Sequence, residues 1–147
     1  QLLDRFGLSV DVTTPTDIDD RIEVIRRRDA YDSDHTAFML RWQAEDAIIR
    51  ENILKARKLL KKMKTPDATL RDCAELCVAL GSDGLRGELT LLKTARALAA
   101  YQGDKTVTRA HVKAIAPASL RHRLRRDPLD EAGTGTRVTR IVEEVLA

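Results

Sequence analysis

The sequence predicts a mainly α protein, in which one short strand and a helix close an α/β core and are followed by a long linker helix and a helical bundle. Three observations carry this. Apolar residues make up 43% of the 147 positions but aromatics only 3%, so the core is built from Leu, Ile, Val and Ala, a composition that suits packed helices better than a β-sandwich. Apolar positions recur every three to four residues along most of the chain. Alternation is convincing at one place only, "LSVDV", Leu8 to Val12.

The elements follow in order. The strand Leu8–Val12 is stopped by the turn-forming "TTPTD". Thr16 or Asp17 caps a helix in which Ile18, Ile22 and Ile25 share a face and Arg26, Arg27 and Arg28 stay wet. "DAYDSDH" is expected to interrupt it. Asp34 then caps a long helix from about His35 to Met63, with Ile48, Ile49, Ile53 and Leu60 as a face to bury, ended by Pro66. Thr69 is expected to cap a third helix with Leu70, Cys73, Ala74, Cys77 and Leu80 inward, and Gly81 to stop it in the left-handed conformation. Asp83 is the expected cap of a fourth, with Leu85, Leu89, Leu92 and Ala99 along one face. Thr108 caps a fifth from Arg109 to about Leu124, with Val112, Ile115, Ala116 and Leu120 among its apolar members, which Pro117 should kink or split. After the loop "RRDPLDEAGTGT", Arg137 to Leu146 forms the last amphipathic helix. No fixed-period repeat or low-complexity tract is present. The expected divisions are 1–30, the end of the α/β core; 31–66, the linker; and 67–147, the bundle.

Lys and Arg outnumber Asp and Glu 26 to 23, giving a net charge of +3, a weak pull towards polyanions. Two cysteines, no apolar run of about 20 residues and no signal-peptide pattern lead to a cytoplasmic, non-membrane expectation. The start, "QLLDRFGLSVDV", lacks an initiator Met and lies inside a patterned segment, so the chain is expected to be a piece of a longer protein.

Cys73 and Cys77 lie four apart on one helix face, but a structural zinc needs four ligands and the sequence has no further cysteine; they are expected to be core residues, and no metal site is expected. His35, His111 and His122 are far apart, and no paired-carboxylate, Ser-His-Asp or G-x-S-x-G arrangement stands out. The phosphate loop G-x-x-x-x-G-K-[ST] is missing. "RHRLRR", Arg121 to Arg126, is the densest basic patch, yet no aromatic lies near it to stack a base, and Asp127, Asp130 and Glu131 can neutralise it, which argues against nucleic acid. Most telling is Arg86 in "GSDGLRGELTLLKTARALAA". A cation in a first helical turn faces the positive end of the helix dipole, a cost of about 0.3–1 kcal/mol. Helix starts favour anions, and Gly84 and Gly87 let a ligand or another backbone come close. A phosphate contact and a surface ion pair with Glu88 or Asp83 both account for it.

Taken together, "LLDRFGLSVDV", "GSDGLRGELTLLKTARALAA" and "HRLRRDPLDEAG" resemble the carboxy-terminal half of the magnesium chelatase I subunit family, AAA+ ATPases of porphyrin metallation, over essentially the whole chain. The first two motifs occur more loosely in MoxR-type ATPases and helicases, which leaves the lid of another AAA+ protein, DNA-associated in the helicase case, as the alternative. "RIEVIRRRDAYDSD" looks most like the versions from bacteria that make bacteriochlorophyll. The resemblance implies the end of an AAA+ core, a long linker helix and a helical lid. It implies that Arg5 is an arginine finger acting in trans on a neighbour's nucleotide and that Arg86 is the sensor-2 arginine. It also implies ATP and Mg²⁺ as cofactors, bound mainly by residues upstream of Gln1, a homo-oligomeric ring, a D subunit partner and a porphyrin-binding H subunit.

Overall fold

The computed structural model describes residues 5–82, 84–124 and 133–147. Among them are six helices: α1 (Ile18–Ser33), α2 (His35–Leu60), α3 (Asp67–Ala79), α4 (Arg86–Gln102), α5 (Arg109–Leu120) and α6 (Gly133–Val145). The mainly α class is as expected. The chain divides into two compact units, one formed by the described residues of 1–10 with 55–147, the other by 11–54.

In the larger unit α3, α4, α5 and α6 pack on one another. Their core contains Leu76, Leu91, Val112, Leu120, Val138 and Leu146, each fully buried. Ala95 and Ala99 line the inner face of α4, and such small side chains allow close helix approach. Two connections are fastened to each other. The Lys64 N–H donates to Lys105 O at 3.1 Å and the Val107 N–H to Lys64 O at 3.0 Å, while the buried Thr69 hydroxyl donates to Val107 O at 3.2 Å.

That last bond corrects the expected role of Thr69. The N-cap of α3 is Pro66, without a side-chain cap bond; Thr69 lies inside the helix with its hydroxyl committed to a distant carbonyl. Of the expected inner faces of α3 and α4, Cys73, Cys77, Leu80 and Ala99 are buried, and other members are not. Leu70, Leu85 and Leu89 are exposed, while Thr69, Asp72, Leu76 and Leu91 are buried. Polar burial adds to the inner face of α3: Asp72 receives Arg109 Nη2 at 2.9 Å and Nε at 3.3 Å, so a paired carboxylate is buried beside the expected Cys73. The inner residues of α5, Val112, Ala116 and Leu120, are buried as expected. That helix continues through Pro117 and ends at Leu120, short of Leu124.

The expected strand Leu8–Val12 is not formed. A strand is stabilised by ladder bonds to a neighbour, and no described segment supplies one; the Ser9 N–H donates instead to Ala118 O at 2.8 Å. The one bridge among the described residues pairs Lys64 with Thr106.

In the smaller unit, Asp17 Oδ1 accepts from the Asp20 N–H at 3.0 Å, and Asp34 Oδ1 from the Ala37 N–H at 2.9 Å, so both expected aspartate caps are present. "DAYDSDH" interrupts less than expected, because α1 runs to Ser33 and Asp34 alone separates it from α2. Arg28, paired with Asp32 at 2.7 Å, supports that last turn. Ile48, Ile49 and Ile53 are 46–60% exposed, against the expectation of a buried face.

Candidate functional site

The approach to Arg86 is built by backbone conformation. At the end of α3 the Ser82 N–H donates to Cys77 O and the Gly81 N–H to Val78 O, both at 3.0 Å, with Gly81 at φ +66°. This is the Schellman arrangement, in which a left-handed glycine satisfies the last carbonyls. Gly84, at φ +71°, turns the chain again, and a Cβ there would meet nothing within 4 Å. Its role is conformational. Gly87 is different: a Cβ there would lie 2.7 Å from Ser82 Oγ and 3.3 Å from Cys77 Sγ. The expected close approach at Gly87 is therefore made by α3 itself, whose last turn lies against the first turn of α4.

Arg86 is the first residue of α4 and is exposed. The N-cap, Leu85, supplies no side-chain bond to the helix start; Asp83, the expected cap, lies outside the described residues. Glu88 is acidic in the same turn, and its Oε2 is buried with no hydrogen-bond partner among the described residues. The first turn of α4 thus combines an exposed guanidinium with a helix start whose N–H groups receive no bond from the capping residue, a donor set suited to phosphate oxygens.

The second predicted arginine, Arg5, is exposed in a segment held against the same helices. Phe6 O accepts from His122 Nε2 at 2.9 Å and from Arg123 Nη2 at 2.8 Å. A carbonyl cannot donate, so His122 carries its proton on Nε2. Arg123 Nη2 also reaches Thr90 Oγ1 at 3.3 Å, and Arg123 Nε donates to Ser119 O at 3.1 Å. Thr90 lies four residues, about one turn, beyond Arg86 on α4. The structure therefore brings the Arg5 segment, the start of α4 and the end of α5 to one hydrogen-bonded cluster.

Sequence reasoning did not find Thr90, His122 or Arg123 as organisers of this cluster. The signal available was the density of "RHRLRR", whose expected partners were the carboxylates Asp127, Asp130 and Glu131. Arg125, Arg126, Asp127, Asp130 and Glu131 lie outside the described residues. In the other basic run Arg27 pairs with Glu23 at 2.8 Å.

His111 forms a separate constellation beside an open groove of about 550 Å³ lined in part by Leu98, Gln102, Asp104 and Lys105. Its Nδ1 accepts from the Thr108 N–H at 3.0 Å and lies 2.8 Å from the Thr108 hydroxyl, and Nε2 meets Asp104 Oδ2 at 3.1 Å. Hydroxyl, imidazole and carboxylate in line resemble a nucleophile relay. Here Nδ1 is engaged by a backbone N–H, so the histidine completes a helix cap instead of acting as a base. The pattern T-x-x-H at a helix start is its sequence signal.

Cys73 and Cys77 are free and buried, as expected of core residues. Burial raises the Cys73 thiol from its ordinary 9.0 to about 11 and Cys77 to about 12, with neighbouring carboxylate charge adding to both shifts. They are hydrophobic packing groups, without the thiolate character a nucleophile or metal ligand requires.

The larger unit is thus a packed set of helices α3 to α6 with an exposed arginine at the start of α4. The AAA lid domain model matches residues 70–145, more than half of the chain, and the chain belongs to that family. It is 62% identical over 146 residues to the magnesium-chelatase 38 kDa subunit of Cereibacter sphaeroides, covering 99% of this chain and 44% of the relative. It is 61% identical over 146 residues to the corresponding subunit of Rhodobacter capsulatus, covering 99% of this chain and 42% of the relative. Among solved structures, it resembles a chain in the cryo-EM-based complex between the BchI and BchD subunits of magnesium chelatase, with 53% identity, a TM-score of 0.44 and coverage of 99% of this chain and 42% of that one. The resemblance to the magnesium chelatase I subunit extends over essentially the whole chain, which spans less than half the length of these relatives.

Proposed function

We propose that this chain is the lid-bearing, carboxy-terminal part of an AAA+ ATPase subunit of magnesium chelatase. In an oligomeric ring, its ATP hydrolysis would drive insertion of Mg²⁺ into protoporphyrin IX for (bacterio)chlorophyll synthesis, with the D subunit and the porphyrin-binding H subunit as partners. The observation that carries the reading is 62% identity to a subunit of that name across 99% of the chain. In this reading, residues 1–30 close the nucleotide-binding core, 31–66 form the linker and 67–147 the lid.

Arg86 has the sensor-2 role. The start of α4 suits a phosphate group, because an arginine stands on a first turn whose N-cap residue supplies no side-chain bond. Arg86 would hold phosphate oxygens of the nucleotide and make lid position depend on them. Arg5 has the finger role, placing a guanidinium against the charge that develops on the neighbouring subunit's nucleotide. ATP supplies the phosphoryl group, and the residues that hold Mg²⁺ and cradle the phosphates belong to the upstream part of the subunit. The helicase-type alternative is weakened by Arg123 and His122, which in the basic run are engaged within the chain on Phe6 O, Ser119 O and Thr90 Oγ1.

The test is steady-state ATP turnover by the full-length subunit. Arg5→Ala should lower kcat by about 10³-fold and Arg86→Ala by about 10²-fold, with folding intact. Arg5→Ala subunits mixed with subunits whose phosphate loop is disabled should regain turnover. Wild-type activity that both substitutions leave unchanged would overturn the assignment.

A further inference from the structure

We infer that Arg123, assisted by His122, is a positioning residue that fastens the Arg5 segment to the lid, so that the arginine serving the neighbouring subunit moves with the helix that carries Arg86. The inference rests on the roles proposed above for those two arginines.

Residues 6–9 lie in neither helix nor strand, so the chain supplies no internal bonds to hold their position. Two external attachments do so. Phe6 O accepts from both Arg123 at 2.8 Å and His122 at 2.9 Å, which occupies both lone pairs of that carbonyl. Three residues on, the Ser9 N–H is bonded to Ala118 O. Gly7, between them, is close enough to α4 that a Cβ there would lie 3.8 Å from Thr90 Cγ2. Both attachments end on the last turn of α5 or just beyond it, leaving Arg5 one residue outside the fastened stretch.

Arg123 also bonds all three segments. Its Nε is anchored on Ser119 O of α5, and its Nη2 is shared between Phe6 O of the Arg5 segment and Thr90 Oγ1 of α4. A planar guanidinium with donors in fixed directions can hold three acceptors in one geometry; a lysine ammonium on a flexible stem holds them less specifically. A shift of α4 relative to α5 alters how Nη2 is shared, and with it the hold on Phe6. This gives a physical path from the sensor helix to the trans-acting arginine.

The test uses the full-length subunit. Arg123→Met should lower kcat for ATP by about 100-fold, the scale of a misplaced catalytic group, with KM unchanged. Mixing with phosphate-loop-disabled subunits that retain Arg123 and Arg5 should restore turnover, because the nucleotide site of the Arg123→Met subunit is intact and is served by its neighbour. A purely structural fault in the lid would damage that subunit's own site, and mixing would not help. Arg123→Lys should retain part of the activity, and amide exchange at Ser9 should accelerate in Arg123→Met. Unchanged turnover, a loss that mixing leaves in place, or unchanged Ser9 exchange overturns the inference. A wild type without turnover would instead sink the ATPase reading itself, whereas rescue of Arg5→Ala without rescue of Arg123→Met would sink this inference alone.

Discussion

Helices α1 and α2 contain no buried residue, whereas α3, α4 and α5 each bury five. The arrangement of caps is nearly the reverse. Asp17 and Asp34 bond the amino ends of α1 and α2, while Pro66 and Leu85, at the starts of α3 and α4, supply no side-chain bond. The exposed helices are written locally, in caps and in pairs one turn apart such as Glu23–Arg27 and Arg28–Asp32, whose exposure to water keeps their contribution small. The lid helices are held by what they bury. At the start of α4 the N-cap residue supplies no side-chain bond, and that is where the proposed phosphate-binding arginine sits.

If this contrast is right, its largest signature is chemical. Cys73 and Cys77 belong to the buried set, with thiols raised to about 11 and about 12. At pH 8 their alkylation in the folded chain should be about 10²- to 10³-fold slower than in the chain unfolded in denaturant, since reactivity follows thiolate fraction. The linkage has a definite sign. The folded state binds these protons more tightly, so the thiols' contribution to stability is complete below pH 9 and declines as pH rises past 9 towards 11–12. Rapid labelling of the native chain at pH 8 would mean that the α3–α4 interface opens and is not the packed region described.

Next in size is a pair of truncations chosen to separate the two regions. Leu91→Ala removes a fully buried side chain and should cost about 3 kcal/mol by denaturant unfolding. Ile49→Ala removes one that is 49% exposed and should change stability by no more than about 0.5 kcal/mol. Equal losses would erase the distinction. A large loss for Ile49→Ala in the full-length subunit, absent in the 147-residue chain, would mean that the face of α2 is covered by the remainder of that protein.

The same division governs how much could be read from the sequence. Caps and stops are local and were legible, as Asp17, Asp34 and Gly81 demonstrate. The inner face of α5 was legible because its buried positions are mainly apolar. The faces of α3 and α4 were legible only in part, rightly at Cys73, Cys77, Leu80 and Ala99 and wrongly at Leu70, Leu85 and Leu89. On α3, Thr69 and Asp72 are buried by bonds to Val107 O and Arg109, partners 38 and 37 residues away, and no periodicity count foresees them. On α4, Gly87 lies against Cys77 and Ser82, so the inner row begins at a residue with no side chain to register as apolar. Of the candidate site, Arg86 could be suspected from the dipole argument and Arg5 only from resemblance. Arg123 and His122 could not be found, because the group they bind is a backbone carbonyl more than 100 residues away, and every residue has one.

The smallest effect tests the local half of the comparison. Asp34→Ala removes the oxygen that accepts the Ala37 N–H at 2.9 Å, while the backbone bond from the Asp34 N–H to Ala30 O, at 3.1 Å, is available to either residue. The loss should be about 1 kcal/mol of α2 stability, or about a fivefold acceleration of amide exchange at Ala37. Asp34→Asn should preserve most of the protection, since its carbonyl can accept the same bond. The lid should not respond, because its core contains no part of this turn. If exchange at Ala37 is unchanged, the first turn of α2 is held by something other than its cap. If amides of α4 and α5 accelerate with it, the two regions unfold together, and the contrast between locally written and mutually packed helices does not extend to their stability.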